Sequence, residues 1–167
     1  MKISLKKSIL FSGLILIVLF LFNVFWSTGF FRTIENKFEG EIFKQIKLKG
    51  AEDITVSHID SFAIISSTAR KSFPNIEQER GGLYFLDLKN KNFKLIHLTN
   101  NFKKPFAPHG ISIFKKNNYY IIAAINHTLD GEFIEIFKLT GTKLTHQKSL
   151  KHKLIFSPND FVLFDEN

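Results

Sequence analysis

"GGLYFLDLKNKNFKLIHL", residues 81–98, and "GEFIEIFKLTGTKLTHQKSL", residues 131–150, follow one plan. Each is a β-rich run, a short polar turn and a second β-rich run. Runs of this kind, bounded by turn residues, argue strands. The turns "KNKN" and "TGT" suit hairpins. Working outward, such runs occupy residues 62–66, 83–88, 93–98, 111–114, 119–125, 132–139 and 143–150. No long 3.6-residue periodicity follows residue 50, so this part is all-β. Each hairpin pair is preceded by two further strands. Each set of four begins with a polar pair at a strand entrance: Glu52 and Asp53, then His109 and Gly110, then Asn159 and Asp160. The entrances recur about every fifty residues, and four strands in such a period mark a β-propeller blade.

In a propeller the first strand of each blade lines the central channel, so its entrance residues converge. Carboxylates and amide oxygens gathered there suit a hard cation; calcium takes about 6–8 oxygen ligands. The set is wrong for zinc, which prefers nitrogen and sulfur in a tetrahedron. Taken singly, each pair is also ordinary. Glu52–Asp53 reads as a polar turn, and so does Asn159–Asp160 after Pro158. In "KPFAPHGISIFKK", residues 104–116, His109 stands on a Pro–His–Gly corner ahead of a strand, as if its side chain must be aimed. A lone histidine is nonetheless more often structural than catalytic. His127 ends the run "YYIIAAINH" and reads as a base or as a strand-end polar residue. His58, His97, His146 and His152 carry no such placement. Asn126-His127-Thr128 matches the glycosylation sequon, a weak signal. There is no GxSxG elbow, P-loop or HExxH.

The 167 residues suit about one domain, 44% of them hydrophobic, and twenty phenylalanines with 4 prolines argue against disorder. Net charge is +8, but the lysines are scattered beside strands, where they discourage edge pairing, and no nucleic-acid footprint results. The absence of cysteine excludes disulfides, thiolate metal sites and a cysteine nucleophile. Lys2, Lys6 and Lys7 precede an uncharged run over residues 9–31, with Trp26 near its far end. That run has the roughly 20 residues needed to cross a bilayer. The exit, "STGFFRT", is a poor cleavage site. The expected organisation is an uncleaved membrane anchor over residues 1–31, a linker over 32–49 and a partial propeller over 50–167. The lysines would lie in the cytoplasm and the bulk of the chain outside it, periplasmic or extracellular. A cleaved signal peptide is the alternative.

"AEDITV", "FAPHGISIF", "AAINH", "EIFKL" and "KSLKHKLIFSPNDFV" resemble the serum paraoxonase/arylesterase family, in that order and at similar spacing. The resemblance runs from about Gly50 to the C-terminus. It implies a six-bladed β-propeller with two calcium ions in its tunnel, and hydrolysis of lactones and aryl esters. It implies that Glu52 and Asn159 bind the catalytic calcium. Asp53, Asp160 and the main-chain carbonyl of Ile111 would bind the structural one. His109 would be the general base that activates water, with His127 as second histidine of a dyad. Such a calcium polarises a carbonyl and stabilises the oxyanion. A histidine suits proton transfer near neutral pH.

Six blades of about fifty residues need roughly 300 residues, and the chain also lacks the cysteines that close the ring in animal members. The expectation is therefore an N-terminal fragment or truncated product with roughly two blades, the start of a third, and part of the site. Its small ester or lactone substrate is met in full only by a completed chain. The rival readings are a non-catalytic, membrane-anchored propeller fragment and a gluconolactonase- or strictosidine-synthase-like propeller hydrolase.

Overall fold

The computed structural model describes residues 4–35, 37, 39–42, 44–69, 81–90 and 92–164. The chain divides into two compact units, Met1–Gln45 and Ile46–Asn167. In the first, α1 (Leu5–Ser27) is a 23-residue helix rich in Leu, Ile, Phe and Val, with no buried residue. At 1.5 Å per residue it is about 34 Å long, enough to span a bilayer core. It ends where the Thr28 N–H donates to Val24 O and Gly29 turns to φ +72°.

The second unit holds β1 (Ala51–Ser57), β2 (Phe62–Ser67), β3 (Gly82–Asp87), β4 (Leu95–His97), β5 (Pro108–Lys116), β6 (Tyr119–Thr128), β7 (Gly131–Thr140) and β8 (Lys143–Leu150). They form two four-stranded antiparallel meanders, β1-β2-β3-β4 and β5-β6-β7-β8. The turns follow from their residues. Lys116 pairs with Tyr119 across a two-residue loop in which Asn117 takes φ +51°. Thr140 pairs with Lys143 across another, with Gly141 at φ +59°. Asn and Gly tolerate this left-handed region, which tight hairpins require. The "KNKN" turn is looser than a tight hairpin, since β4 begins only at Leu95; Lys91 of that turn lies outside the described residues.

One core joins the sheets. Phe62, Ile64 and Leu83 of the first meander pack with Ile111, Ile122, Phe137 and Leu139 of the second, and with Phe106 of the connection. Burying such a side chain is worth about 1.5–3 kcal/mol, so the two meanders stabilise one another. At one end the tie is polar. The Tyr120 hydroxyl lies 2.5 Å from Asp60 Oδ2 and 2.6 Å from Ser57 Oγ, and Lys115 Nζ lies 2.7 Å from the same Asp60 oxygen. At the other end β1 and β2 meet the start of β5. Ser66 Oγ donates to His109 O at 2.6 Å, and Thr68 Oγ1 to Pro108 O at 2.7 Å.

Two expectations need correction here. Pro108, His109 and Gly110 are not a corner ahead of the strand; they are its first residues. The register slips between Pro108, opposite Asn126, and Ile111, opposite Ala124. β1 slips at the matching place, between Ala51, opposite Ser67, and Asp53, opposite Ser66. Glu52 is thus the extra residue in β1, and His109 and Gly110 share one partner position in β5. A bulge re-aims a side chain without ending the strand, which is what a sequence read by alternation alone cannot show. Second, Asn159 and Asp160 do not open a strand. Residues 151–164 form no strand, and the segment is held against β5 by the Leu163 N–H donating to Ser112 Oγ at 2.9 Å.

Candidate functional site

The two bulges face each other. His109 Nε2 lies 3.6 Å from Glu52 Oε2, with 16% and 15% of their side-chain surfaces exposed. His109 Nδ1 lies 3.1 Å from His127 Nε2. His127 comes from the end of β6, one strand over, and its own Nδ1 is hydrogen-bonded to Glu132 Oε2 on β7. The β6–β7 hairpin sets that last contact, because His127 and Glu132 are direct cross-strand partners. The result is a row of four side chains: Glu52, His109, His127, Glu132.

The backbone beneath the row is fixed by buried polar groups. The Ala107 N–H donates to Asn126 Oδ1 at 2.9 Å, and Asn126 Nδ2 donates to Pro105 O at 3.1 Å. The His127 N–H donates to Ala107 O at 3.2 Å. The approach to His109 is therefore sewn to β6 beside His127. Pro108, His109, His127, Glu132 and Asn159 line a cleft of about 430 Å³, within the usual size of a small-molecule site.

The expected metal ligands border the same place. Asp53 Oδ2 accepts the Ile111 N–H at 2.8 Å, and Asp53 Oδ1 accepts the Ile54 N–H at 2.7 Å. Asn159 and Asp160 press on Gly110, where a Cβ would stand 2.6 Å from Asn159 O, 2.8 Å from Asp160 Cα and 3.1 Å from Asp160 Oδ1. Only glycine fits that approach. Asp53 and Asp160 thus both meet the dipeptide Gly110–Ile111, and their donor atoms are oxygens, the kind a hard cation takes. Among the described residues no three His, Asp or Glu side chains gather closely enough to enclose an ion.

The chain is similar to known proteins along this region. A family model described as Arylesterase matches residues 34–167. The chain belongs to the arylesterase family. This arylesterase-family chain is 33% identical over 121 residues to serum paraoxonase/lactonase 3 of Homo sapiens, covering 68% of this chain and 34% of that protein. It is 32% identical over the same length, with the same coverage, to serum paraoxonase/lactonase 3 of Oryctolagus cuniculus. It is 34% identical over 88 residues to serum paraoxonase/arylesterase 2 of Canis lupus familiaris, covering 49% of this chain and 25% of that protein. The chain spans about a third of the length of the first two relatives.

Two features escaped the sequence reading. Glu132 looked like an ordinary strand residue. The tight "NHTLDGE" hairpin was the available signal, since its two-residue loop puts Glu132 opposite His127. His146, to which the sequence assigned nothing, lies 2.7 Å from the buried carboxylate of Glu135. Ser149 Oγ also donates to that carboxylate at 2.6 Å, and Asn126 Nδ2 at 3.2 Å. On the first meander His97 stacks on Tyr84, and burial pushes its pKa below the usual imidazole value.

Proposed function

We propose that this chain carries the histidine pair and part of the calcium-binding apparatus of an ester or lactone hydrolase, tethered to a membrane by α1. The observation that supports it most is the approach of His109 to both His127 and Glu52 at two facing strand bulges. In this reading the two meanders are consecutive blades of a propeller, and the bulged starts of β1 and β5 line its channel. Glu52 and Asn159 hold one calcium ion; Asp53, Asp160 and the Ile111 carbonyl hold another. When bound, calcium polarises the substrate carbonyl and offsets the charge of the oxyanion.

The chain's own residues do the proton work. His109 Nε2 takes a proton from water as the water oxygen bonds to the carbonyl carbon. The carbon–oxygen bond to the aryloxide or ring alkoxide then breaks, and the proton passes to that leaving oxygen. The products are an acid and a phenol, or an opened hydroxy acid. His127 holds the His109 ring in place through Nδ1. Lys6 and Lys7 at the start of α1, with Lys2, would keep that end cytoplasmic and set the meanders on the other side.

The test is an assay of the full chain in membranes with phenyl acetate and a simple lactone, with and without calcium. Hydrolysis that a calcium chelator abolishes, and that His109→Gln lowers by about 10²-fold or more, is the expected result. Hydrolysis indifferent to the chelator would defeat the metal, and no hydrolysis at all would leave a non-catalytic module.

A further inference from the structure

β2 reaches the cleft without contributing a side chain to the row. It ends at Ser67, and the hydroxyls beside that end turn toward the start of β5. Ser66 Oγ donates to the His109 carbonyl at 2.6 Å, and Thr68 Oγ1 to the Pro108 carbonyl at 2.7 Å. A carbonyl oxygen only accepts, so the direction of both bonds is fixed. Ser66 Oγ also accepts the Asp53 N–H at 3.1 Å. Its one proton thus goes to β5 while a lone pair serves β1, and the residue is fully buried.

Both bulges call for such partners. A bulge disrupts the ladder at the extra residue, and buried backbone groups left out of a ladder are paired elsewhere. In β1 the register resumes at Asp53, opposite Ser66 itself. In β5 the slip lies between Pro108 and Ile111, and the two carbonyls at its start are the ones that Thr68 and Ser66 hold. The Glu52–Asp53 peptide unit and the His109 carbonyl are therefore tied through a single hydroxyl. These are the two places from which Glu52 Oε2 and His109 Nε2 approach to 3.6 Å. Thr68 is itself anchored, since its N–H donates to Gly50 O at 2.8 Å.

We propose that Ser66 and Thr68 are positioning residues: their hydroxyls clamp the β5 bulge, and Ser66 ties it to the bulge in β1, so that the His109 ring is held between Glu52 and His127. The clamp grips the main chain and acts on the ring through it. Its catalytic meaning rests on reading His109 as the base; the clamp itself does not.

The experiment is proton NMR of the full chain in detergent micelles. It reads the nuclear Overhauser contact between the rings of His109 and His127, whose centroids are 5.3 Å apart. The contact between the rings of His146 and Phe102, 4.9 Å apart, is the internal reference. Single His→Gln variants assign the ring signals. In Ser66→Ala the first contact is expected to weaken about twofold or more, as a displacement of about 1 Å brings at this range, while the reference stays constant. Thr68→Val, which keeps the shape and drops the hydroxyl, is expected to act in the same sense, and Thr68→Ser to leave the contact intact. A His109–His127 contact that holds its strength in Ser66→Ala overturns the proposal. So does a parallel fall in both contacts, which marks general loosening. If Ser66→Ala fails to fold, Thr68→Val against Thr68→Ser gives the same decision. If the chain hydrolyses phenyl acetate, Ser66→Ala should lower kcat by about 10²-fold with little change in KM. A chain whose ring contact weakens as stated, but which hydrolyses nothing, keeps the clamp and removes the ester reading.

Discussion

Asn126 donates its side-chain amide to the carboxylate of Glu135 across one strand pairing, at 3.2 Å, and both residues are about 1% exposed. A carboxylate so buried is tolerable only when its oxygens are satisfied. Asn126, His146 and Ser149 supply the donors. The same Asn126 side chain holds Ala107 N–H and Pro105 O. The polar core behind the cleft thereby fixes the chain leading to His109.

Asn126→Ala should consequently harm stability and site together. It strands the Ala107 N–H and removes a donor from Glu135, and a buried unsatisfied group costs about 1–3 kcal/mol. Urea unfolding should show a midpoint loss equivalent to about 3 kcal/mol. Hydrogen exchange should quicken first at Ala107 and His127. An Asn126→Ala chain as stable as the original would mean that this network is incidental.

Gly110→Ala tests the close approach of the 157–163 segment to β5. The added Cβ would meet backbone, 2.6 Å from Asn159 O, and backbone cannot swing aside. The segment must move, and the Leu163 N–H to Ser112 Oγ bond should open. Calcium affinity, read by calorimetry, is expected to fall at least tenfold while the thermal transition moves by only a few degrees. Unchanged affinity would separate Asn159 and Asp160 from any ion at this place.

Much of the second meander was legible in the sequence because its hairpins are tight and its β5–β6 and β6–β7 registers run without a slip from Ile111 onward. The runs at 119–125, 132–139 and 143–150 fall within β6, β7 and β8. The bulges were not legible, because a slipped register is decided by what lies across the sheet. Glu52 is displaced by the pairing of Asp53 with Ser66, thirteen residues away in sequence. His109 and His127 stood out as residue types in unusual company. Glu132 and His146 did not, since their partners are cross-strand neighbours and only the fold brings them near. Asn159 and Asp160 fitted the repeat, yet they are held by packing on Gly110 rather than by a strand ladder.

The helix α1 makes a prediction independent of the site. Its side chains are exposed along its length, Leu16 among them at 67%, as suits a lipid-facing span. Leu16→Arg places a charge near the middle of the segment, where insertion costs about 2.5–3.5 kcal/mol. Carbonate washing of membranes should then release most of the variant and little of the original chain. Equal retention of both would assign membrane attachment to something other than α1.

The tie between the sheets at Asp60 should set part of the acid stability. The Lys115 ammonium, and then the Tyr120 hydroxyl, hold the Asp60 carboxyl below its usual range. A carboxyl depressed in the folded state stabilises it above the unfolded pKa, about 3.9. That contribution is lost as the pH falls through the lower folded value. Asp60→Asn cannot form the charged contact at any pH. The melting temperatures of the two proteins should therefore differ most near pH 6 and draw together below about pH 3, as the Asp60 of the original chain takes up its proton. High salt should narrow the gap at pH 6, because the pair is partly exposed and screened. A gap that stayed constant from pH 6 down to acid would show that Asp60 acts by shape or neutral hydrogen bonding, and that its charge does not hold the sheets together.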